Sequence, residues 1–460
     1  MKNIIRMVGV LLLFMAVVLG IESGVQIKPA QADAACSTTP IPSIAQLLSQ
    51  TSQEQWQKYL EELTGEIPVM INGSLHTITN RYTPHLFDGS EDALAFLYIK
   101  EQLGKLQYPP NSEPDHYGYY EHQYTYNGNN WKNLVLTIPG LEQVDPHELI
   151  LSTHLDDLPD KEAHGAEDNG VGVAALLEMA RVLRYNQFNA TIKLIWFTGE
   201  EQGRRGSTDY VRDNTSFFDD LIGVINLDMF GYDADDDGCF EIHAGNIPAS
   251  YVLGDCLLNV IDAYDIPLAI DYIKEVVPSV NSDQLSFWME DLGAIEILEN
   301  HFSRISSFPY QQCGVVVDAN PYTHTTHDTI ENSLNLQHAF DIVKASLAAS
   351  VTMAGPLGIC FNEQPFLNGY STTRNIVLSW QNMGNYATYR LSRSLNGCEG
   401  PWEELADNIS DLKYNDTPPP ASELAYQIEA IAPSGACRSL PSNCATNFAL
   451  STTFLPIISK

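Results

Sequence analysis

Apolar residues recur along the chain at two spacings, and these spacings predict its helices and strands. A spacing of three or four residues, typical of a helix packed on a core, covers residues 41–65, 91–106, 171–183 and 336–353. Short apolar or alternating runs predict strands at residues 122–126, 133–139, 148–153, 195–197 and 221–227. Because strands alternate with helices as far as residue 355, we predict an α/β fold with a mixed, mainly parallel sheet covered by helices.

The pattern changes at residues 355–358, Gly-Pro-Leu-Gly. From Phe361 to Phe448 the apolar runs are short and alternating, clusters of Pro, Gly and Asn separate them, and no helical period is evident. This spacing predicts a small antiparallel β-sandwich over residues 361–448, with Trp380 and Tyr426 as its core aromatics. The segment resembles a fibronectin type III domain, and its sequence leaves open which surface or ligand it binds.

The start of the chain has the pattern of a targeting segment. Lys2 and Arg6 precede an apolar run over residues 8–19 that is short for a membrane span, and small residues follow at 30–32. We therefore predict a secretory signal peptide over residues 1–32, a secreted or periplasmic location, and no membrane span in the mature form. An uncleaved anchor is one alternative. A lipoprotein at Cys36 is disfavoured by Asp33, since an apolar residue is usual there.

Charge and cysteine content narrow the class of protein. The 460 residues include 24 basic and 58 acidic side chains, which gives a net charge of −34. A chain this acidic repels nucleic acid and anionic membrane surfaces, so neither is an expected partner. Eight cysteines in an exported chain favour structural disulfides. The length allows about two or three domains, and we assign residues 36–355 to a first, catalytic domain.

Polar side chains follow three of the predicted core strands at the point where each strand ends. His154 ends the first strand, Glu200 and Glu201 follow the second, and Asp228 follows the third. The carboxyl ends of parallel strands meet at one edge of an open α/β sheet, where such folds place their chemistry. The sequence therefore predicts a metal site at this edge.

A hydrolytic centre with two metals needs imidazole ligands, a carboxylate that bridges both ions, and further carboxylates to complete each set of ligands. The chain offers His154 and His324 as imidazoles, and Asp168 as the candidate bridge. Glu201 and Asp228 are the candidate remaining ligands. His327 competes with His324 for one ligand position, and the spacing to the Asp-Thr pair that follows favours His324.

Two further carboxylates have candidate roles beside the metals. Glu200 and Glu201 are adjacent and cannot easily face the same ion, so Glu200 can act as general base while Glu201 binds metal. Asp156 lies two residues after His154, on the same side of an extended chain. There it can orient the imidazole ring of His154.

Five blocks of residues, in this order, resemble the motifs of the co-catalytic di-zinc aminopeptidases of the bacterial leucyl aminopeptidase type. They are His154-x-Asp156, Gly165-Ala-x-Asp168-Asn-x-x-Gly172, Phe197-x-Gly-Glu200-Glu201-x-Gly-x-x-Gly206-Ser207, Asn226-Leu-Asp228-Met229 and His324-Thr-x-x-Asp328-Thr329. The resemblance covers residues 41–353 and implies the zinc exopeptidase fold, which glutaminyl cyclases share. It also implies two zinc ions per chain and peptide substrates with free N-termini.

The resemblance assigns His154 and Asp228 to one zinc, Glu201 and His324 to the other, and Asp168 to both. It gives Glu200 the role of general base, which takes a proton from the water that bridges the metals. Asp rather than Glu at position 228 goes with aminopeptidase rather than carboxypeptidase activity in related peptidases. The chain departs from the pattern at Gln284, where His is frequent, and it lacks a close cysteine pair before that position. We expect these departures to affect specificity.

Two other functions fit part of the sequence. A glutaminyl cyclase-type acyltransferase has the same fold but a single zinc, and it lacks the first histidine ligand that His154 supplies here. A non-catalytic secreted binding protein would act through the C-terminal sandwich, and a degenerate set of metal ligands would indicate it. Nucleophilic catalysis has little support, because the chain contains no Gly-x-Ser-x-Gly motif.

Overall fold

The structure, a computed structural model, describes most of the chain between residues 36 and 446. The described residues exclude 88–93, 112–113, 115, 141–146, 160–162, 278–280, 303–309, 312, 314–317, 360–363, 373–374, 384–386, 399, 420–422, 432–437 and 440. The predicted signal peptide lies outside the described residues.

The helices include those that the apolar spacing predicts, and several begin at a polar residue that caps them. They are α1 (Pro42–Leu48), α2 (Gln53–Leu63), α3 (Thr83–Leu86), α4 (Leu94–Lys105), α5 (Val171–Leu183), α6 (Arg205–Asn214), α7 (Pro248–Ala263), α8 (Gln284–Trp288), α9 (Ile330–Ser333) and α10 (Leu336–Ala354). The Asn335 side chain accepts the N–H of His338 and so begins α10, which ends at Gly355 with a φ of 68°. The predicted bounds of α5 are confirmed.

The strands include those that short apolar or alternating runs predict. In the first part of the chain they are β1 (Val69–Ile71), β2 (Ser74–His76), β3 (Gly118–Tyr126), β4 (Asn129–Ile138), β5 (Glu148–His154), β6 (Asn186–Phe188), β7 (Thr191–Phe197), β8 (Leu221–Leu227), β9 (Cys239–His243), β10 (Ala269–Ile273), β11 (Ala294–Glu299) and β12 (Tyr310–Gln311). Every residue of β5 is buried, as expected for a central strand covered on both faces.

Within the described residues, nine strands form one mixed sheet in the order β12-β10-β9-β11-β8-β5-β7-β4-β3. Four of its eight described pairings are parallel, and these include β5 with β7, β5 with β8 and β8 with β11. The remaining pairings are antiparallel. The mixed sheet covered by helices is therefore confirmed, and the parallel group brings the carboxyl ends of β5, β7 and β8 to one edge.

Residues after 355 form small antiparallel sheets, as predicted. Their strands are β13 (Pro356–Ile359), β14 (Leu367–Ser371), β15 (Ile376–Trp380), β16 (Thr388–Ser394), β17 (Glu403–Ile409), β18 (Lys413–Asp416) and β19 (Ala425–Ile431). The described strands pair in the orders β14-β15-β18 and β17-β16-β19. Trp380 and Tyr426 are buried in the shared apolar core of these sheets, which confirms them as core aromatics.

The C-terminal sheets are joined to the first part of the chain by backbone and side-chain contacts. Strand β13 pairs with β6 in antiparallel register. Nη2 of Arg184 lies 3.1 Å from Oε1 of Glu429, and the guanidinium of Arg438 lies 3.7 Å from the ring centroid of Tyr117. These contacts hold the small sheets against the end of α5.

Disulfides fasten both parts of the chain. The described residues contain the bridges Cys36–Cys256, Cys239–Cys313 and Cys398–Cys444. The prediction that the cysteines are structural is confirmed for these pairs. Among the described helices, none is both long and apolar enough to cross a membrane.

Candidate metal centre

The polar residues that follow the core strands lie together at the carboxyl edge of the sheet. His154 is the last residue of β5, and Asp228 comes directly after β8. Glu200 and Glu201 follow β7 after a short turn. The register of the parallel strands, which pairs His154 with Phe197, brings these side chains to the same height.

Asp168 lies at the same edge of the sheet, but it comes from the turn just before α5 and not from the end of a strand. It lies in an irregular helical turn over residues 166–170, where its own backbone angles are not helical. The first turn of α5, which follows directly, packs tightly against β5: a Cβ atom on Gly172 would lie 2.3 Å from Oγ1 of Thr153. Glycine is therefore required at this position of the motif.

Asp328 holds the turn that carries Asp168. Its Oδ2 accepts the backbone N–H of Asp168 at 3.0 Å, and its Oδ1 accepts that of Glu167 at 3.1 Å. The backbone N–H of Ala166 donates to the carbonyl oxygen of Asp328 at 3.1 Å. The sequence places Asp328 in a motif, but the partners of its carboxylate become visible only in the structure.

The first group of candidate ligands surrounds the ring of His154. Nε2 of His154 lies 3.1 Å from Oδ1 of Asp228 and 3.3 Å from Oδ1 of Asp168. All three side chains are buried. Nδ1 of the ring lies 3.0 Å from the carbonyl oxygen of Asp156, which leaves Nε2 directed at the carboxylates.

The second group shares Asp168 with the first. Nε2 of His324 lies 3.0 Å from Oδ2 of Asp168 and 3.2 Å from Oε2 of Glu201. The His324 side chain is 52% exposed, and its backbone has a φ of 59°, which is uncommon for a residue with a side chain. His327 is exposed and belongs to neither group, so the structure brings His324 rather than His327 to the site.

Asp156 lies beside His154, but its carboxylate has a different partner from the one predicted. The close contact to the imidazole comes from the Asp156 carbonyl oxygen, while Oδ1 of the carboxylate lies 3.9 Å from Nδ1. The two carboxylate oxygens instead accept the backbone N–H groups of Glu200, at 3.3 Å, and of Glu201, at 3.2 Å. The Asp156 side chain therefore holds the turn after β7.

The histidines and carboxylates of the two groups shift one another's pKa values. Burial alone would raise the pKa of Asp168, but hydrogen bonds from His154 and His324 lower it well below its ordinary value. Hydrogen bonds to Asp168 and Glu201 raise the pKa of His324 to about 11. Burial and the nearby carboxylate of Asp168 raise the pKa of Glu201 to about 8. The site therefore favours a net positive occupant between its carboxylates.

The two groups fit a pair of metal ions that share one ligand. Within each group, the candidate ligand atoms all lie within 4.8 Å of one another. Oε1 of Glu201 is buried and makes no hydrogen bond within the described residues, which suits an oxygen that binds a cation. Imidazole nitrogen and carboxylate oxygen are donors that zinc takes in catalytic sites.

Glu200 faces the cavity that both groups line. This cavity has a volume of 370 Å³, and its walls include His154, Asp168, Asp228 and His324. Burial raises the pKa of Glu200 well above its ordinary value, and the carboxylates of Asp283 and Asp228 raise it further. A carboxylate with a raised pKa, next to metal ligands but in neither group, can exchange protons with a substrate.

Arg81 is buried directly behind the candidate ligands and was not singled out by the sequence. Its guanidinium donates to the carbonyl oxygens of Leu155 at 2.9 Å, His164 at 2.7 Å and Gly165 at 2.8 Å. It also lies 3.4 Å from Oδ2 of the buried Asp157. Arg81 thus fixes the segments that carry His154 and Asp168, and no periodic pattern in the sequence indicates such a role.

Curated relatives of this chain include proteases and aminopeptidases. A probable zinc metalloprotease of Pyrenophora tritici-repentis is 27% identical over 216 residues, which cover 44% of this chain and 47% of the relative. Leucine aminopeptidase 1 of Coccidioides posadasii is 25% identical over 236 residues, 48% of this chain and 55% of the relative. The chain thus spans about half the length of these relatives.

A solved structure with the same fold is the LapA aminopeptidase of Legionella pneumophila. It superposes with a TM-score of 0.52 and 21% sequence identity, over 69% of this chain and 76% of that one. At this identity the likeness supports the fold alone. Residues 133–348, which contain both ligand groups and Glu200, match the family model of peptidase family M28.

Proposed function

We propose that this chain is a secreted aminopeptidase that holds two zinc ions and hydrolyses the N-terminal peptide bond of peptides. The observation that carries the proposal is the sharing of Asp168 between the two ligand groups. Its Oδ1 faces His154 and its Oδ2 faces His324, at 3.3 Å and 3.0 Å. A carboxylate placed between two imidazoles in this way suits a bridge between two ions.

In this proposal each zinc ion has its own pair of ligands. His154 and Asp228 would hold one ion, Glu201 and His324 would hold the other, and Asp168 would contact both. When bound, such a pair lowers the pKa of a water molecule and polarises the carbonyl of the scissile bond. The relatives named as a zinc metalloprotease and a leucine aminopeptidase support this chemistry.

Glu200 is the proposed general base. It lines the cavity beside both ligand groups, and its backbone is held by the carboxylate of Asp156 at 3.3 Å. Its side chain takes a proton from the attacking water as the oxygen forms its bond to the carbonyl carbon. The same proton then passes to the amine nitrogen as the carbon–nitrogen bond breaks. The fixed turn after β7 keeps the carboxyl group within reach of both atoms.

An acidic cavity suits a substrate with a free N-terminus. Within the described lining, the carboxylates of Glu200, Glu201 and Asp228 lie close together, and their negative charge attracts an α-ammonium group. Asp at position 228 agrees with removal of N-terminal rather than C-terminal residues. Peptides with free N-termini are therefore the proposed substrates.

The predicted signal peptide over residues 1–32 and the three disulfides among the described residues support export. We assign residues 36–355 to the catalytic domain and residues 361–448 to a fibronectin type III-like domain. Two antiparallel sheets that share an apolar core containing Trp380 and Tyr426 support the second assignment. A surface or ligand outside the protein is its proposed partner.

The other candidate functions have less support. A cyclase with one zinc has no use for His154 as a ligand, yet His154 is buried with Asp168 and Asp228 around its Nε2. A non-catalytic binding protein gains nothing from keeping both ligand groups and a half-buried Glu200 in one cavity. The zinc content per chain distinguishes the first alternative, and turnover distinguishes the second.

The test uses the full chain, stripped of metal with a chelator and then given increasing zinc. Release of p-nitroaniline from aminoacyl p-nitroanilides should disappear with the chelator and return as zinc approaches two ions per chain. A parallel assay on peptides with an acetylated N-terminus should show no hydrolysis, because the α-ammonium group is absent. Zinc-independent release, full activity with one zinc, or no release from any substrate would contradict the proposal.

A further inference from the structure

Glu296 is a buried carboxylate in the floor of the same cavity. It is the third residue of β11, it is only 3% exposed, and it lines the cavity together with Asp228. Neither ligand group contains it. The proposed mechanism therefore leaves Glu296 without a function, although burying a carboxylate is costly unless it meets a partner.

The depth of Glu296 follows from the register of the sheet. Strand β11 runs parallel to β8 and pairs Glu296 with Asn226, two residues before Asp228. At the rise of a parallel strand, Glu296 lies about 7 Å below the level of Asp228. If the scissile bond of a substrate lies at the strand ends, the side chain of its N-terminal residue would extend down the cavity. The far end of that side chain would then contact Glu296.

Glu296 has one described hydrogen-bond partner, and that partner is neutral. Nε2 of Gln284 donates to Oε2 of Glu296 at 2.7 Å. Burial raises the pKa of Glu296 well above its ordinary value, the carboxylates of Asp228, Glu241 and Asp283 raise it further, and His154 opposes them. No lysine or arginine is among the described residues that line the cavity. The described lining thus offers no lysine or arginine that would stabilise the ionised form of Glu296, and a cation on the substrate would do so.

The walls above Glu296 suit an aliphatic chain. Met229, Leu298 and Phe302 line the cavity together with Glu296. His301 also lines it, but Nδ1 of His301 lies 3.2 Å from Oε1 of Glu299, which balances the charge of that ring. Apolar walls with an acidic end are the surroundings in which a lysine or arginine side chain buries its stem and pairs its charge.

We propose that Glu296 makes this enzyme prefer peptides whose N-terminal residue is lysine or arginine. The inference rests on the proposed aminopeptidase function and names its substrate class. Gln284 holds the carboxylate in place, and the cation of the substrate stabilises its ionised form. The glutamine at position 284, where histidine is frequent, then contributes to this preference for lysine and arginine. Its side-chain amide orients the carboxylate of Glu296 without adding a positive charge beside it.

The first test compares two substrates of nearly the same shape on the full chain loaded with zinc. Norleucine has the same carbon chain as lysine, so lysyl and norleucyl aminomethylcoumarin differ only in the terminal ammonium group, which a hydrogen atom replaces in norleucine. We expect kcat/KM to be at least about tenfold higher for the lysyl substrate, since pairing a buried charge is worth that or more. Equal values, or a preference for norleucine, would overturn the proposal.

The second test changes the charge of Glu296 and keeps its shape. In Glu296→Gln the ratio of kcat/KM for lysine over norleucine should fall by about tenfold or more. The matched control is Glu290→Gln, which changes an exposed carboxylate beyond the end of α8 and should leave the ratio unchanged. Zinc content and circular dichroism show whether each variant is folded.

The outcomes separate this proposal from the function on which it rests. An equal loss for both substrates in Glu296→Gln would mean that Glu296 binds the α-ammonium group, and would overturn the preference. Hydrolysis that favours leucine in the unmodified chain would overturn it too, while the aminopeptidase function would stand. If Glu296→Gln does not fold, the substrate ratio of the unmodified chain still decides.

Discussion

The carboxylate of Asp328 accepts the backbone N–H of Asp168 at 3.0 Å, although 160 residues separate them. In Asp328→Asn an NH2 group, which donates and does not accept, replaces one carboxylate oxygen. The side chain can then no longer accept the N–H groups of Asp168 and Glu167 on two separate oxygens. We expect zinc affinity to fall by about 10- to 100-fold, as is typical when a residue that orients a ligand is changed. Competition with a chromophoric chelator measures this affinity.

The control for this variant is Asp262→Asn, which alters an exposed side chain near the end of α7. Excess zinc should restore most of the activity of Asp328→Asn, because the ligands themselves are intact. Unchanged zinc affinity in Asp328→Asn would show that Asp168 keeps its position without this hydrogen bond.

Glu200→Gln should keep its zinc and lose nearly all turnover. The substitution preserves size and removes the group that accepts the proton, and general base catalysis contributes about 10²- to 10⁴-fold to a rate. Metal analysis and kcat on one p-nitroanilide substrate measure the two effects. Turnover within about tenfold of the unmodified chain would remove Glu200 from the proposed role, and loss of zinc would indicate that it binds metal.

Zinc binding should release protons. The carboxylates of Asp168 and Glu201 raise the pKa of His324 to about 11. The stability that this charged pairing gives to metal-free protein is fully present below the unfolded pKa of about 6.5 and is lost as pH rises through about 11. Zinc requires the neutral imidazole, so its affinity should rise about tenfold per pH unit for each proton displaced.

Calorimetry in buffers of different ionisation enthalpy counts the protons released at neutral pH. His327→Ala should leave that count unchanged, because His327 is exposed and belongs to neither ligand group. Zinc affinity that does not vary between about pH 6.5 and pH 8.5 would contradict the proton displacement.

Arg81→Met should destabilise the protein by about 3–5 kcal/mol, because it removes the charged partner of the buried Asp157 carboxylate and leaves it the backbone N–H of residue 81. The carbonyl oxygens of Leu155, His164 and Gly165 lose their donor in the same variant. Urea denaturation measures the free energy of unfolding. Adding Asp157→Asn should recover part of the loss; a double variant no more stable than Arg81→Met would show that the charge of Asp157 is not what makes the loss large.

The sequence predicts the positions of those site residues that lie at the ends of strands. His154, Glu200 and Asp228 each lie at or just after the end of a buried apolar run. Because the three strands pair in parallel, these residues lie at the same edge of the sheet. The helix over residues 171–183 was predictable for a similar reason, since its apolar period is unbroken between a glycine and the polar residues after it. Local pattern is enough where one strong period fixes the element.

The N–H groups that the Asp156 carboxylate accepts, and the carbonyl oxygens to which Arg81 donates, could not be predicted because they are backbone groups. A carbonyl oxygen or an N–H group is present at nearly every residue, so the sequence does not indicate which one a side chain meets. The Asp156 carboxylate binds N–H groups 44 and 45 residues away, and Arg81 reaches carbonyl oxygens 74 to 84 residues away. These contacts depend on how loops pack after the sheet has formed.

Glu296 shows the limit of the alternating pattern. In Ala294–Glu299 a polar residue at the third position would ordinarily indicate a face exposed to water. Every residue of this strand is buried, because α8 covers that face and places Gln284 over Glu296. A glutamate within a strand that is otherwise suited to burial on both faces is the signal that could have identified it.

The pairing of β13 with β6 means that the two parts of the chain cannot be separated cleanly at Gly355. Residues 356–359 complete a two-stranded ladder with residues 186–188, which directly follow α5. A protease that cut before Pro356 and released everything after it would expose a row of unpaired backbone N–H and C=O groups on β6. Such an edge invites other chains to add to it, so a shortened enzyme that ends after Ile359 should resist aggregation better than one that ends at Gly355.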